Sequence, residues 1–171
     1  MKKRIQKALM TPRDYRTSTK VGVVLLRISL GWMMFYAGIT KVLDPAWSAA
    51  GFLENAAFFQ SFFAWFAQPE ILPLTNTLNA WGLMLIGVAL LLGLFVRISS
   101  LFAIFLMVLY YLPVLPASTG GYTLFVDNHV IYAAGFLLLA GISAGRFAGF
   151  DVLLRKHPFV AYNPLLRSLI G

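Results

Sequence analysis

The chain has 171 residues, of which 60% are apolar, 12% are charged and none is cysteine, and its formal net charge is +8. Soluble domains run about 45–50% apolar and about 25% charged, and a chain of this size has too little interior to hide so much apolar surface. With a mean hydropathy of +0.79, the composition argues against a soluble enzyme, a nucleic-acid-binding domain and a disordered tail, and leaves a one-domain integral membrane protein.

Residues 1–20 form a basic N-terminal segment with seven Lys or Arg against the single acid Asp14. No apolar run inside it resembles a signal peptide. Val21–Leu43 is long enough to cross a bilayer, which takes about 20 residues. It carries Arg27 and Lys41, and Asp44-Pro45 stops it, because proline cannot continue the helical hydrogen bonds. Residues 46–68 are rich in Phe and Trp but interrupted by polar residues. Glu54, Ser61 and Gln68 recur every seven residues, which predicts one polar stripe on a helix lying at the membrane interface. Pro69 and Pro73 then break it. A second span is expected over about 80–96, a tight turn at Arg97–Ser100, a third span over 101–115 and a Gly-rich loop at 117–122. The fourth span, about 124–143, opens with Asp127, Asn128 and His129, and 147–171 is the C-terminal tail.

The expected fold is therefore all-α: a four-helix integral membrane bundle over 21–146, with an extra interfacial helix in the first outer loop. Gly82, Gly87 and Gly93, and the Gly141-x-x-x-Gly145 pair, are the small residues that would let helices approach. In this arrangement 12 of the 14 basic residues fall on one side, at the two ends of the chain and at Arg97. Basic residues concentrate on the cytoplasmic side, so both termini are expected there, in a bacterial or archaeal plasma membrane. Counting 46–68 as a fifth span would split the basic ends across the bilayer. The +8 charge then needs no nucleic acid, since basic segments lie against anionic lipid.

Ionisable groups within a membrane are expensive and are functional candidates. Lys41, Asp44, Glu54, Asp127 and His129 share the outer half with Asn76, Asn79, Tyr110 and Tyr111. Lys41 and Asp44 are three apart on one helix face and can pair, or Lys41 snorkels while Asp44 ends the helix. Asp127 and His129 do not share a helix face, yet join one site if a helix starts there. His129 can hold or donate a proton near neutral pH, and a His, an acid and a Tyr under a Phe and Trp lid would suit a quinone, whose carbonyl oxygens need donors. The plainer reading is an interfacial His capping the bundle. Arg27 is a structural or lipid-facing charge, either snorkelling or paired with another span or a headgroup.

The missing cysteines remove disulfides, iron–sulfur clusters, thiolate zinc sites and c-type haem attachment, and no metal site is expected. His129 and His157 fall on opposite faces, which disfavours a bis-His haem. No phosphate-binding loop, dinucleotide fingerprint, zincin or nucleophile-elbow motif occurs.

Leu26-Arg27-Ile28-Ser29-Leu30-Gly31-Trp32, then Tyr36-Ala37-Gly38-Ile39-Thr40-Lys41 and Asp44-Pro45, resemble the opening helix of the DoxX family. Asn79-x-Trp81-Gly82, Gly87-x-Ala89-Leu90-Leu91-Leu92-Gly93, Arg97, Asp127-x-His129 and Gly145-Arg146 continue the resemblance over about residues 21–151. It implies a four-helix membrane protein, related to DoxD proteins associated with a thiosulfate:quinone oxidoreductase in which a membrane subunit joins a small partner subunit. Arg27, Lys41, Asp44, Asp127 and His129 carry over as family-marking polar residues. Two functions follow. One is a redox subunit that positions a quinone for oxidation of a small reductant such as thiosulfate, with His129 and Asp127 catalytic and Lys41, Asp44, Glu54, Asn76, Asn79, Tyr110 and Tyr111 binding. The other is a non-catalytic anchor or scaffold for a partner, or a small-solute transporter. Expected partners are the lipid bilayer, a small partner subunit and further copies of the chain.

Overall fold

The computed structural model describes residues 15–115 and 125–170, and their regular structure is helical throughout. The basic stretch 1–14, the Gly-rich loop 117–122 and the expected start of the fourth span at Leu124 lie outside the described residues. In chain order the helices are α1 (Thr17–Leu43), α2 (Ala50–Glu54), α3 (Gln60–Phe66), α4 (Leu72–Leu92), α5 (Val96–Tyr111), α6 (Asn128–Gly141), α7 (Asp151–Leu154), α8 (Pro158–Ala161) and α9 (Pro164–Ile170). Short 3-10 turns follow α5 at Leu112–Val114 and α6 at Ala144–Arg146.

Among the described residues, three helices are long and apolar enough to cross a membrane: Thr17–Leu43, Leu72–Leu92 and Val96–Val114. The expected fourth, α6, has 14 residues, which at 1.5 Å each reaches about 21 Å and falls short of a hydrocarbon core of about 30 Å. It lies against α5 and runs antiparallel to it. His129 at its start meets Tyr110 at the end of α5, and the turn after it packs back onto α5.

α1 begins at Thr17, earlier than the expected Val21, and three further boundaries differ from the sequence expectation. First, α4 begins at Leu72, with Pro73 inside its first turn, where the missing N–H would have had no helical partner anyway. Pro73 therefore starts a helix where a break was expected. Second, the turn between spans two and three lies at Gly93–Phe95, and Arg97–Ser100 is the first turn of α5. Gly93 adopts φ 67°, with Leu94 N–H donating to Ala89 O and Gly93 N–H to Leu90 O. This is the Schellman closure, which favours glycine. Third, the interfacial helix expected over 46–68 is two short helices, with Phe59 at φ 54° between them. The stripe of Glu54, Ser61 and Gln68 is not formed.

α1 and α4 make the closest pairing in the bundle. A Cβ on Gly38 would overlap the backbone of Met84, and one on Gly87 the backbone of Phe35. Small residues let membrane helices meet this closely. Gly82 and Gly141 instead face open space, and Gly145 packs against Asp151, so neither the Gly82 position nor the Gly141-x-x-x-Gly145 pair joins helices. Met34, Leu83, Leu90, Ala103, Phe136 and Leu139 fill the core. Leu25, Trp32, Leu85, Phe102, Phe105 and Leu137 lie outward and exposed, the apolar exterior that a bilayer covers.

One end of the bundle is tied by two buried charges. Arg27, only 2% exposed, lies in α1. Its Nη1 donates to Ala144 O at 3.1 Å and Phe147 O at 2.8 Å, and its Nη2 to Ala148 O at 3.2 Å. Arg27 is thus turned inward, and its lipid-facing alternative is set aside, because the turn after α6 brings three carbonyls to its fork. Asp151 is fully buried and accepts from Phe95 N at 2.7 Å and Val96 N at 3.1 Å, two of the free N–H groups at the start of α5.

Burial raises the Asp151 pKa above its ordinary value near 3.8, while the N–H groups of Val96 and Phe95, and then the charges of Arg27 and Arg155, pull it down less strongly. An acid with a raised folded pKa binds its proton more tightly when folded. Its contribution to stability therefore falls as pH rises from about 4 through the raised value. The thermal midpoint of the purified chain should drop across that window, and Asp151→Asn should flatten the slope while lowering the midpoint overall. A slope unchanged in the variant would contradict this.

Candidate functional site

The opposite end holds a chamber of about 340 Å³. Its polar wall is Lys41 from the last turn of α1, Asn79 from α4, Tyr110 from α5, and His129 and Tyr132 from α6. Trp47, Ser48 and Phe52 border it from the loop between α1 and α4, and Met33, Met34, Leu83 and Met107 complete the apolar lining.

His129 is held by the way α6 begins. Asp127 is the N-cap residue and accepts from Val130 N through Oδ1 at 3.1 Å, the usual capping bond. Its Oδ2 lies 2.5 Å from His129 Nδ1. A carboxylate can only accept, so Nδ1 carries the proton and Nε2 remains available to a ligand. Asp127 thus starts the helix and orients the imidazole. The Tyr110 ring centre is 6.0 Å from that of His129.

Asn79 Nδ2 donates to the Tyr110 hydroxyl at 2.6 Å, which leaves the Tyr110 proton to be given elsewhere. Asn79 Oδ1 is buried with no partner among the described residues. Reversing the amide only moves the unmatched role to its nitrogen, so Asn79 keeps one polar atom unpaired. Buried polar atoms without partners are uncommon and mark strain, function or a missing ligand. Lys41 Nζ donates to Ala37 O at 2.9 Å and lies 5.3 Å from the centre of the Trp47 ring. An ammonium has three donors, so two remain beyond the Ala37 bond.

A second cavity, of about 370 Å³, adjoins the chamber and shares Ala49, Phe52, Asn79 and Tyr110 with it. The rest of its wall is apolar except for Thr75, with Phe63, Phe66, Leu78, Phe105 and Leu109 prominent.

Of the residues expected at a site, Lys41, Asn79, Tyr110 and His129 line the chamber, and Asp127 supports it. The others stand apart. Asp44 is exposed and accepts from Ala46 N at 3.0 Å, closing its own turn in place of an ion pair with Lys41. Glu54 ends the short α2 and is exposed. Asn76 Oδ1 accepts from Ala49 N at 2.9 Å, pinning the loop to α4. The Tyr111 hydroxyl donates to Phe125 O at 2.8 Å, and Arg27 is at the other end. Sequence reasoning missed Trp47, Phe52 and Tyr132. Tyr132 carried a legible signal, because it lies three residues after His129 and therefore on the same helical face.

The sequence model of the DoxX family matches residues 22–115, more than half of the chain. The chain belongs to the DoxX family. No curated protein and no solved structure matches it. Family membership and the three apolar helices together make this DoxX chain a multi-pass membrane protein. The matched stretch contributes Lys41, Asn79 and Tyr110 to the chamber, while Asp127 and His129 come from the helix beyond it.

Proposed function

We propose that this DoxX protein is a redox-associated membrane subunit that holds a quinone in the Lys41–His129 chamber, with both termini cytoplasmic and the chamber at the outer face. The observation that carries this reading is the convergence of two donors, Lys41 and Tyr110, and of His129, whose Nε2 accepts until it is protonated, on a space that Asn79 also lines and that joins an apolar cavity. Quinone oxygens accept hydrogen bonds and the reduced form donates them, and the two faces of this wall offer both roles. The adjoining Phe- and Leu-lined cavity suits the isoprenoid tail.

When bound, a quinone supplies an acceptor of two electrons and two protons. Lys41 would place its spare N–H groups toward one carbonyl oxygen. His129 would hold a proton at Nε2 while Asp127 stabilises the resulting imidazolium through Nδ1. Tyr110, fixed by Asn79, would orient the ring from the second side, and Trp47 and Phe52 would keep water out. The chain has no cysteine, so a thiol relay is absent, and electrons from a small reductant such as thiosulfate would arrive directly or through a small partner subunit.

The test is titration of a short-chain quinone into the purified protein, followed by quenching of Trp47. A hydrogen bond to a charged group is worth about 1.5–3 kcal/mol, so His129→Ala and Lys41→Met should each weaken binding at least about tenfold. Trp47→Phe should abolish the signal. Equal affinity in all chamber variants would remove the reading and leave a scaffold role.

A further inference from the structure

We infer that the Phe- and Leu-lined cavity is a side opening to the bilayer, through which a single-tailed amphiphile slides its head into the chamber and leaves its tail between α4 and α5. The inference rests on the chamber being a ligand site. It adds the route and the class of molecule able to use it, a membrane-resident ligand in place of a water-borne solute.

The two spaces are continuous at Ala49, Phe52, Asn79 and Tyr110, which line both. Polarity changes across that junction. Lys41, Ser48, His129 and Tyr132 stand on the chamber side. On the cavity side the one further polar residue is Thr75, whose hydroxyl lies 3.2 Å from Phe66 O and 3.3 Å from Ile71 O and donates there. Beyond Asn79 and Tyr110, the described wall of the cavity therefore has no free side-chain donor, and it suits a hydrocarbon chain.

The cavity reaches the exterior on a lipid-facing side. Leu78 of α4, Phe105 of α5 and Phe62 of α3 border it and are also 64%, 58% and 51% exposed. The chamber residues carried by α1, α4, α5 and α6 are, in contrast, all buried or half-buried. Leu78 lies six residues after the start of α4, and Phe105 six before the end of α5. Asn79 and Tyr110 bond at 2.6 Å, so these two helix ends lie on the same side. At 1.5 Å per residue the opening is about 9 Å inside those ends, within two apolar spans. The ends themselves are covered by α3. Thr75 fastens it to α4 through Phe66 O, and Ala57 N–H, donating to Pro113 O at 2.8 Å, fastens the preceding turn to the end of α5. The way left open is sideways, into lipid.

The experiment uses the full chain in lipid nanodiscs. Because the chain has no cysteine, Leu78→Cys and Leu137→Cys each take a single nitroxide label. Leu137 is outward on α6 and lines neither space. Power saturation with dissolved oxygen and with a water-soluble nickel chelate shows whether a label meets lipid or water. The proposal expects oxygen to dominate at residue 78. A decyl-substituted benzoquinone, and decanol at the same mole fraction, should each lower oxygen access there and leave residue 137 unchanged, while tailless benzoquinone alters neither. Leu109→Phe narrows the cavity behind the opening and should raise the amount of decyl probe needed about fivefold, the low end of an overpacking cost. Dominance of the nickel chelate at residue 78 would overturn the proposal. So would shielding by neither decyl probe, equal shielding at residues 78 and 137 or by the tailless probe, or a folded Leu109→Phe chain that responds as wild type does. Shielding by decanol alone would keep the side opening and remove the quinone from the chamber. If Leu109→Phe fails to fold, the comparison of tailed and tailless probes still decides.

Discussion

Replacing Arg27 with methionine is expected to destabilise the folded chain by about 3–5 kcal/mol, the loss seen when one partner of a buried charge network is removed. The methionine would fill much of the same space, so the effect isolates the guanidinium. Three carbonyls, those of Ala144, Phe147 and Ala148, would lose their donor. They belong to a turn in which Ser143 and Ala148 both sit at positive φ, 53° and 51°, a conformation that costs non-glycine residues roughly 1–2 kcal/mol each. Arg27 is what holds that turn closed, and buried Asp151 would lose the stronger of the two arginine charges that act on it. Arg27→Lys should rescue little, because one ammonium cannot span three acceptors that the planar fork reaches together. Unfolding in mixed micelles measures this. A loss below about 1 kcal/mol, the scale of a single ordinary hydrogen bond, would show that the turn stands without Arg27.

The second large effect is expected at the α1–α4 contact. Gly87→Val should cost about 3 kcal/mol, the upper part of the usual range for overpacking a filled core. Its Cβ would meet the backbone of Phe35, which cannot swing aside as a side chain could. Gly38→Val should behave alike through Met84, whereas Gly82→Val should be nearly neutral, since nothing lies within 4 Å of a Cβ there. Parting α1 from α4 also separates Lys41 from Asn79, so the Gly87 variant should lose chamber affinity that the Gly82 variant keeps. Equal midpoints for all three would contradict the packing described.

Which features could be read in advance follows from what each depends on. α1 was legible because a long apolar run ends in Asp44-Pro45, a local signal. The chamber was partly legible, because polar and aromatic residue types at span ends are costly enough to stand out. Depth, however, does not give direction. Asp44, Glu54, Asn76 and Tyr111 are polar like Lys41 and Asn79, yet Asp44, Asn76 and Tyr111 are taken up by a nearby loop or turn and Glu54 is exposed. The start of α4 was misplaced because Pro73 reads as a break unless the helix is known to begin there. Gly93 was read as a packing residue, and only its backbone angle reveals the turn. Asp151 escaped notice as one acid in a basic tail, since its role depends on N–H groups more than fifty residues away.

The absence of cysteine from the chain makes one measurement decisive for the transmembrane arrangement. Asp44→Cys, just after α1, and Lys156→Cys, just after α7, are each introduced alone and exposed to a membrane-impermeant maleimide on intact and on opened cells. The proposed orientation, with the chamber at the outer face and both termini cytoplasmic, predicts labelling of residue 44 on intact cells and of residue 156 only after opening. Labelling of both positions on intact cells, or of residue 156 alone, would place the two polar ends otherwise and contradict the account.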